Sequence, residues 1–301
     1  MADKFIKSIT FVEGGDTYYH LPKVTNADDG KVLKVVNGVW SVTDLIPPLP
    51  YLSFIGNEDF TLKTNNTTKN WDGTLEYSTD TTNWNTWDGT AISSVGSKLY
   101  LRGTGNTKIT GTSNNTRFVF AGTSALKIAC KGNIENLLDY ETVSAGGHPT
   151  MADYCYNAMF FGCTALTTAP ELPATTLGSS CYQYMFVNCT SLISAPELPA
   201  TTLAEGCYLA MFQGCASLTT TPALPATTLA VACYASMFVN CTKIKLSTTK
   251  TGEYQTAYRI PKSGTGTTAT NALNNMFANT GGTFTGTPRI NTTYYTSNTV
   301  V

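Results

Sequence analysis

Charge is what this chain has least of. Only 13% of its 301 residues are charged, against roughly a quarter in an ordinary soluble domain. Nineteen lysines and arginines nearly cancel twenty aspartates and glutamates, leaving a net charge of −1. Nucleic acid demands a basic patch for its phosphates, so this balance argues against it as a partner. Histidine is scarcer still: His20 and His148 stand alone and far apart, and no zinc-type cluster can be written from them. The chain also lacks a glycine-rich phosphate loop and a serine-nucleophile elbow. No run is long and apolar enough to span a membrane, and the opening MADKFIKSITFVEGG lacks the apolar core of an export signal. The expectations from these absences are no enzyme, no cofactor, no metal and no membrane insertion.

What the chain does have is repetition. CYNAMFFGCTALTTAPELPATTLGSS begins at Cys155, CYQYMFVNCTSLISAPELPATTLAEG at Cys181 and CYLAMFQGCASLTTTPALPATTLAVA at Cys207. A fourth copy opens as CYASMFVNCTKIKLSTT at Cys233, so the period is 26 residues without slippage. A fixed period of this length signals a solenoid, in which no unit buries its apolar face alone and stacking makes the core. Cys155, Met159 and Cys163 are spaced by four with Phe160 alongside, which predicts a short helix with one core-facing side. The LTTAP segment that follows is too short and Pro-bounded for a helix and predicts an extended strand. The proline pairs Pro170 and Pro173, and Pro196 and Pro199, forbid helix in the connecting turn.

The phrase MFxGCTSLTxAPELPATTL resembles the leucine-rich repeats of the BspA type, found in surface proteins of gut Bacteroides and in their phages. Degenerate copies extend the likeness from Phe118 to Val301. FVFAGTSAL from Phe118 echoes FFGCTAL, and NALNNMFANTGG from Asn271 echoes the repeat opening with Ala272 and Thr280 at the cysteine positions. Loss of cysteine at both ends reads as capping. The expected fold class is α+β: a leucine-rich-repeat-like solenoid of 26-residue period over residues 116–301, preceded by a small antiparallel β domain over 51–115 and an N-terminal β-hairpin module over 1–50.

Nine cysteines invite a disulfide or metal reading. Within a copy the two cysteines lie about two helical turns apart, roughly 12 Å, beyond disulfide reach. Equivalent cysteines of successive copies instead stack as a ladder of small apolar groups, the usual state of a buried free thiol; pairing between copies and metal binding are the alternatives. Glu171 and Glu197 share a repeat position that holds Ala223 in the third copy, a repeat echo on a solvated face and not a carboxylate pair built for chemistry.

Ahead of the repeats, Thr, Asn, Trp and Gly dominate, with turn signals at Asp72-Gly73 and Asp88-Gly89 between short strand-like runs. Trp71, Trp84 and Trp87 serve either as sugar-stacking faces or as packing in a small β domain. The run Gly132–Glu141 predicts a helix leading into the first full copy. DGKVLKVVNGVWSV reads as strand, Asn-Gly turn, strand, and with its flanks resembles a short module of phage fibre, head-fibre and tail proteins; LIPPLPYL follows as a stiff linker.

These resemblances imply a virion component, head-fibre or tail-fibre-like, displayed on the particle and attaching to host-surface polysaccharide or protein, with other virion proteins as partners through the N-terminal module. A homo-oligomer, trimeric by analogy, is implied too. A bacterial surface adhesin and a virion subunit without ligand are the alternatives. Candidate attachment residues are Lys31, Leu33, Val35, Asn37, Gly38 and Trp40. The residues that vary between otherwise matched copies mark a candidate ligand surface, at Asn157, Gln183, Tyr184, Leu209 and Ser236, with a second ladder at Thr167, Ile193 and Thr219.

Overall fold

The computed structural model describes residues 31–36, 39–44, 49–66, 69–112 and 117–301. The chain divides after Pro47 into two compact units. In the first, strands Lys31–Val36 and Val39–Asp44 pair antiparallel with Val36 opposite Val39, the register a two-residue Asn-Gly connection serves. The candidate attachment residues Asn37 and Gly38, the side chains of Lys31, Leu33, Val35 and Trp40, and the linker residues 45–48 lie outside the described residues.

The second unit runs from Pro48 to Val301. Strand accounts for 25% of the structure and helix for 4%, distributed over several small sheets. The expected α+β class with a leucine-rich-repeat-like solenoid is therefore corrected to an all-β-like fold. Among the described residues there is one helix, Asn136–Ser144, overlapping the helix expected at Gly132–Glu141, and it is broken at Asp139 (φ −156°, ψ 98°).

The correction has a local cause in the repeats. The segment Cys155–Cys163 does not build the i→i−4 ladder of a helix. The N–H groups of Asn157, Met159, Phe161 and Cys163 donate three residues back, to the carbonyls of Tyr154, Tyr156, Ala158 and Phe160. Those of Tyr156, Ala158, Phe160 and Gly162 donate sideways, to Cys181, Gln183, Met185 and Val187 of the next copy. The switch is made by Tyr154, Ala158 and Gly162, whose φ values are 56°, 53° and 74°. A left-handed residue at every fourth position is incompatible with a right-handed helix and turns alternate N–H groups outward. The same three positions are left-handed in each later copy, ending at Asn271, Asn275 and Asn279. The position before the second cysteine is thus always Gly or Asn (Gly162, Asn188, Gly214, Asn240, and Asn279 ahead of Thr280), the residues that tolerate this conformation best.

Backbone bonding in fixed register puts each core side chain on its own counterpart. Phe160, Phe186, Phe212, Phe238 and Phe277 form one column, their rings 5.5, 5.6, 5.6 and 5.3 Å apart and within 13° of parallel. Tyr156, Tyr182, Tyr208 and Tyr234 form a second, at 5.6, 5.7 and 5.7 Å. Each ring is almost fully buried, and burial of an aromatic of this size contributes roughly 1.5–3 kcal/mol. Four of the second-position cysteines tie the copies further. The thiols of Cys163, Cys189, Cys215 and Cys241 donate to the carbonyls of Phe118, Phe160, Phe186 and Phe212, at 3.2, 3.0, 3.1 and 2.9 Å.

Both ends of the stack are closed by the chain itself. At one end Phe118 meets Phe160 edge-on at 5.8 Å, and its N–H donates to the Met159 carbonyl. At the other, Tyr258 meets Phe277 edge-on at 6.0 Å and Phe277 pairs its backbone with Gly286. The fifth copy follows the fourth at a spacing of 39 instead of 26 (Cys233 to Ala272), yet Tyr234, Phe238 and Asn240 still donate to Ala272, Met276 and Ala278. The additional chain supplies strand Thr256–Arg259, which pairs with Thr293–Thr296 and through it with Leu246–Ser247.

The Trp-rich segment is not a body apart from the repeats. A six-stranded sheet runs in the order Leu166–Thr168, Ile128–Lys131, Leu52–Gly56, Lys98–Thr104, Thr74–Ser78 and Asn85–Thr86, so the expected boundary near 115 falls inside one unit. A three-stranded sheet of Ile92–Ser93, Thr61–Thr64 and Phe118–Ala121 lies beside it. Phe54 joins the two through Phe118 at 6.2 Å and Phe120 at 5.3 Å, and reaches the first copy through Phe160 at 6.4 Å.

Phe212→Ala removes the middle of a column and is expected to cost about 3–5 kcal/mol through the cavity it leaves, read by chemical denaturation; native stability in that variant would refute the stacked core.

Candidate functional site

The variable residues of the repeats occupy two adjacent positions of the repeat, Asn157, Gln183 and Leu209 at one and Tyr184 and Ser236 at the next, and they are not equally available. Asn157 is buried; its amide donates to the Gly111 carbonyl at 3.1 Å, and it serves the junction with the preceding segment and not a surface. Gln183, Leu209 and Ser236 are half-buried, and Tyr184 is exposed. Thr167, Ile193 and Thr219 form the second ladder through their backbones: Ile193 donates to Thr167 and Thr219 to Ile193. The hydroxyls of Thr167 and Thr219 are spent on the carbonyls of Ile128 and Ile193, at 3.0 and 3.1 Å. Ile193, 53% exposed, is the outward group there.

Neither Trp71 nor Trp87 offers a free ring face, and one face of Trp84 is occupied. Trp71 and Trp87 are buried and stacked on each other at 5.7 Å. Trp84 is covered by the Arg102 guanidinium, 4.1 Å from its centroid and 4.3 Å from that of Tyr140. Arg102 is fixed in turn by Glu76, Nε to Oε2 at 2.7 Å. Packing is the role these side chains hold.

The site that spacing did not announce lies where the interrupted helix meets the first full copy. Glu135, whose side chain is 1% exposed, holds the Nδ1 of His148 at 2.8 Å, while the imidazole itself is 55% exposed. The two border a cavity of about 360 Å³ whose walls include Met151, Thr175, Thr176 and Leu177. Glu135 is placed by the turn before the helix, where its N–H donates to the Asn133 side chain at 2.8 Å. His148 is placed by the Gly146-Gly147 break after it; Gly146 sits at φ 81° and its N–H donates to the Val143 carbonyl. Thirteen residues separate Glu135 from His148, no motif spans them, and only the fold of that loop pairs them. The threonines carried a signal in the recurring ATTL, which reads equally well as turn composition.

All nine cysteines are free and buried. Burial pushes the thiols of Cys163, Cys207, Cys233 and Cys241 from the usual value near 9.0 up to about 12, and drives the other five well above it. Among the described residues no group of three or more His, Cys, Asp or Glu is placed to hold a metal, and no helix is long and apolar enough to cross a membrane. Glu171 and Glu197 are both exposed. No protein-family model, curated protein or solved structure matches this chain.

The ladder of raised thiols makes two outcomes expected. A water-soluble alkylating reagent at about pH 8 should leave the native cysteines unmodified and label them only after denaturation, since the thiolate is the reactive form. Because the folded pKa values exceed the unfolded one, the unfolded chain binds fewer protons between about 9 and about 12, so stability is full below that window and falls as pH rises through it. Thermal melts across this range check the sign; a melting temperature that rose with pH would contradict it.

Proposed function

We propose that this chain is a surface component of a phage particle, head-fibre or tail-fibre-like, in which the N-terminal hairpin unit attaches to other virion proteins and the repeat stack is displayed toward host-surface polysaccharide or protein. The observation that carries this reading is the construction of the stack. Every copy is bonded to the next through its backbone, both ends are closed by the chain's own segments, and the thiols are buried. A body built in this way keeps its shape outside the cell without disulfides.

Its outer face supports the same reading. The paired threonines of the recurring ATTL are exposed in each copy, and net charge is close to zero, so the stack presents neutral hydroxyls in a regular array. Neutral hydroxyl surfaces suit contact with sugars and avoid non-specific attraction to charged polymers. Separation of the hairpin into its own compact unit allows attachment and display to be divided between two parts of one chain.

Electron microscopy of purified phage particles labelled with antibody against residues 155–241 tests this reading. Discrete label on head or tail is the expected result. Label on bacterial cells with none on intact particles would overturn it in favour of a cell-surface adhesin.

A further inference from the structure

The cavity beside Glu135 and His148 opens at the start of the threonine array, and the two features together select a ligand. Glu135 is buried to 1% exposure and its carboxylate is held by His148 at 2.8 Å. An anionic ligand finds no lysine or arginine among the residues that line the cavity. An apolar ligand would leave the hydroxyls of Thr175 and Thr176 without partners. A neutral polyhydroxylated ligand meets neither penalty: its hydroxyls exchange bonds with Thr175 and Thr176, while its C–H face lies against Met151 and Leu177. His148, fixed through Nδ1 at 2.8 Å, keeps Nε2 as a second polar contact on the exposed side of its ring. At about 360 Å³ the cavity is of the size of small-ligand sites.

The threonines then continue outward from the cavity. Thr176 bridges Thr202 in parallel, Thr228 bridges Thr267 in the same way, and Thr175, Thr201 and Thr227 accompany them, all exposed. Successive copies are joined by backbone hydrogen bonds, so the threonine pairs recur at the spacing of hydrogen-bonded neighbours, about 4.8 Å.

We infer that the Glu135–His148 cavity is the terminal subsite for a neutral linear glycan whose following rings lie along the exposed threonine file of the stack. This inference rests on the attachment reading above and names the chemistry and the place of contact within it.

Titration calorimetry on the purified full chain with maltohexaose, cellohexaose and xylohexaose, and with oligogalacturonate as the acidic comparator, tests it. At least one neutral hexasaccharide is expected to bind, with oligogalacturonate clearly weaker. His148→Ala and Thr176→Val are expected to weaken that binding about tenfold or more; Thr176→Val, at an exposed side chain, leaves the melting temperature unchanged, whereas His148→Ala lowers it by leaving Glu135 unpaired. Tyr184→Ala, elsewhere on the stack, should leave the binding unchanged. Binding of none of the three neutral hexasaccharides, preference for oligogalacturonate, or unchanged affinity in both cavity variants overturns the inference. Failure of this inference and failure of the attachment reading are separable: particles that carry the antibody label and adsorb normally with His148→Ala reject the cavity alone, whereas unlabelled particles reject virion display and leave the calorimetric result to stand by itself.

Discussion

Everything in the repeat region depends on where the backbone N–H groups point. In an α-helix they would be consumed within each segment, and neighbouring copies would meet only through side chains. Here a left-handed residue at every fourth position diverts alternate N–H groups to the adjacent copy. Placing Tyr or Ala in that conformation is unfavourable, since a Cβ crowds the following carbonyl. The cost is offset because each such residue contributes to a hydrogen bond that links copies and fixes their register.

Register is what converts a repeated sequence into a repeated core. With the backbones locked, the Phe after each repeat Met lies on the next such Phe and the Tyr after each first-position cysteine on the next such Tyr, and the near-parallel columns at 5.3–5.7 Å follow from the bonding pattern. The cysteines gain a role that small apolar packing alone does not give them, since four of their thiols reach the carbonyl of an earlier copy. At the fifth copy Thr280 replaces the cysteine and its hydroxyl turns to Phe277 within the same copy, at 3.0 Å. The column ends there, where Tyr258 closes it edge-on.

The same logic accounts for the position of the cavity. Stacked copies present uniform faces, and a regular face has few concave places. Irregularity enters where the stack joins the preceding segment: the broken helix, the glycine pair after it and the first threonine pair meet without matching geometry. The buried carboxylate of Glu135 is supported there by His148, one of two histidines in the chain. The carboxylate–imidazole pair and the cavity thus lie at a junction where the repeat rule is broken, with a periodic surface leading away from it.

Much of this was legible from residues alone. The 26-residue period announced stacking, the shared Met and Phe positions announced the core, and loss of cysteine at Ala272 and Thr280 announced a terminal copy. The antiparallel pairing of Lys31–Val36 with Val39–Asp44 was readable as well, because strand alternation is local. Helix was the wrong reading of CYNAMFFGC: spacing by four is shared by a helix face and by turns recurring every four residues, and the alternation of Gly and Asn before the second cysteine was the one cue that separated them. The boundary expected near 115 falls inside one compact unit because strand Ile128–Lys131 pairs with Leu52–Gly56, more than seventy residues before it, and with Leu166–Thr168 after it, pairings that no local pattern encodes. The sequence by itself determined the period, the core positions and the near-neutral hydroxyl surface, since each is a property of residue type and spacing. Only the tertiary structure decided that the copies bond backbone to backbone, that Asn157 is buried while Tyr184 is not, and that Glu135 meets His148, because each of these depends on which distant segment fills the space beside a residue.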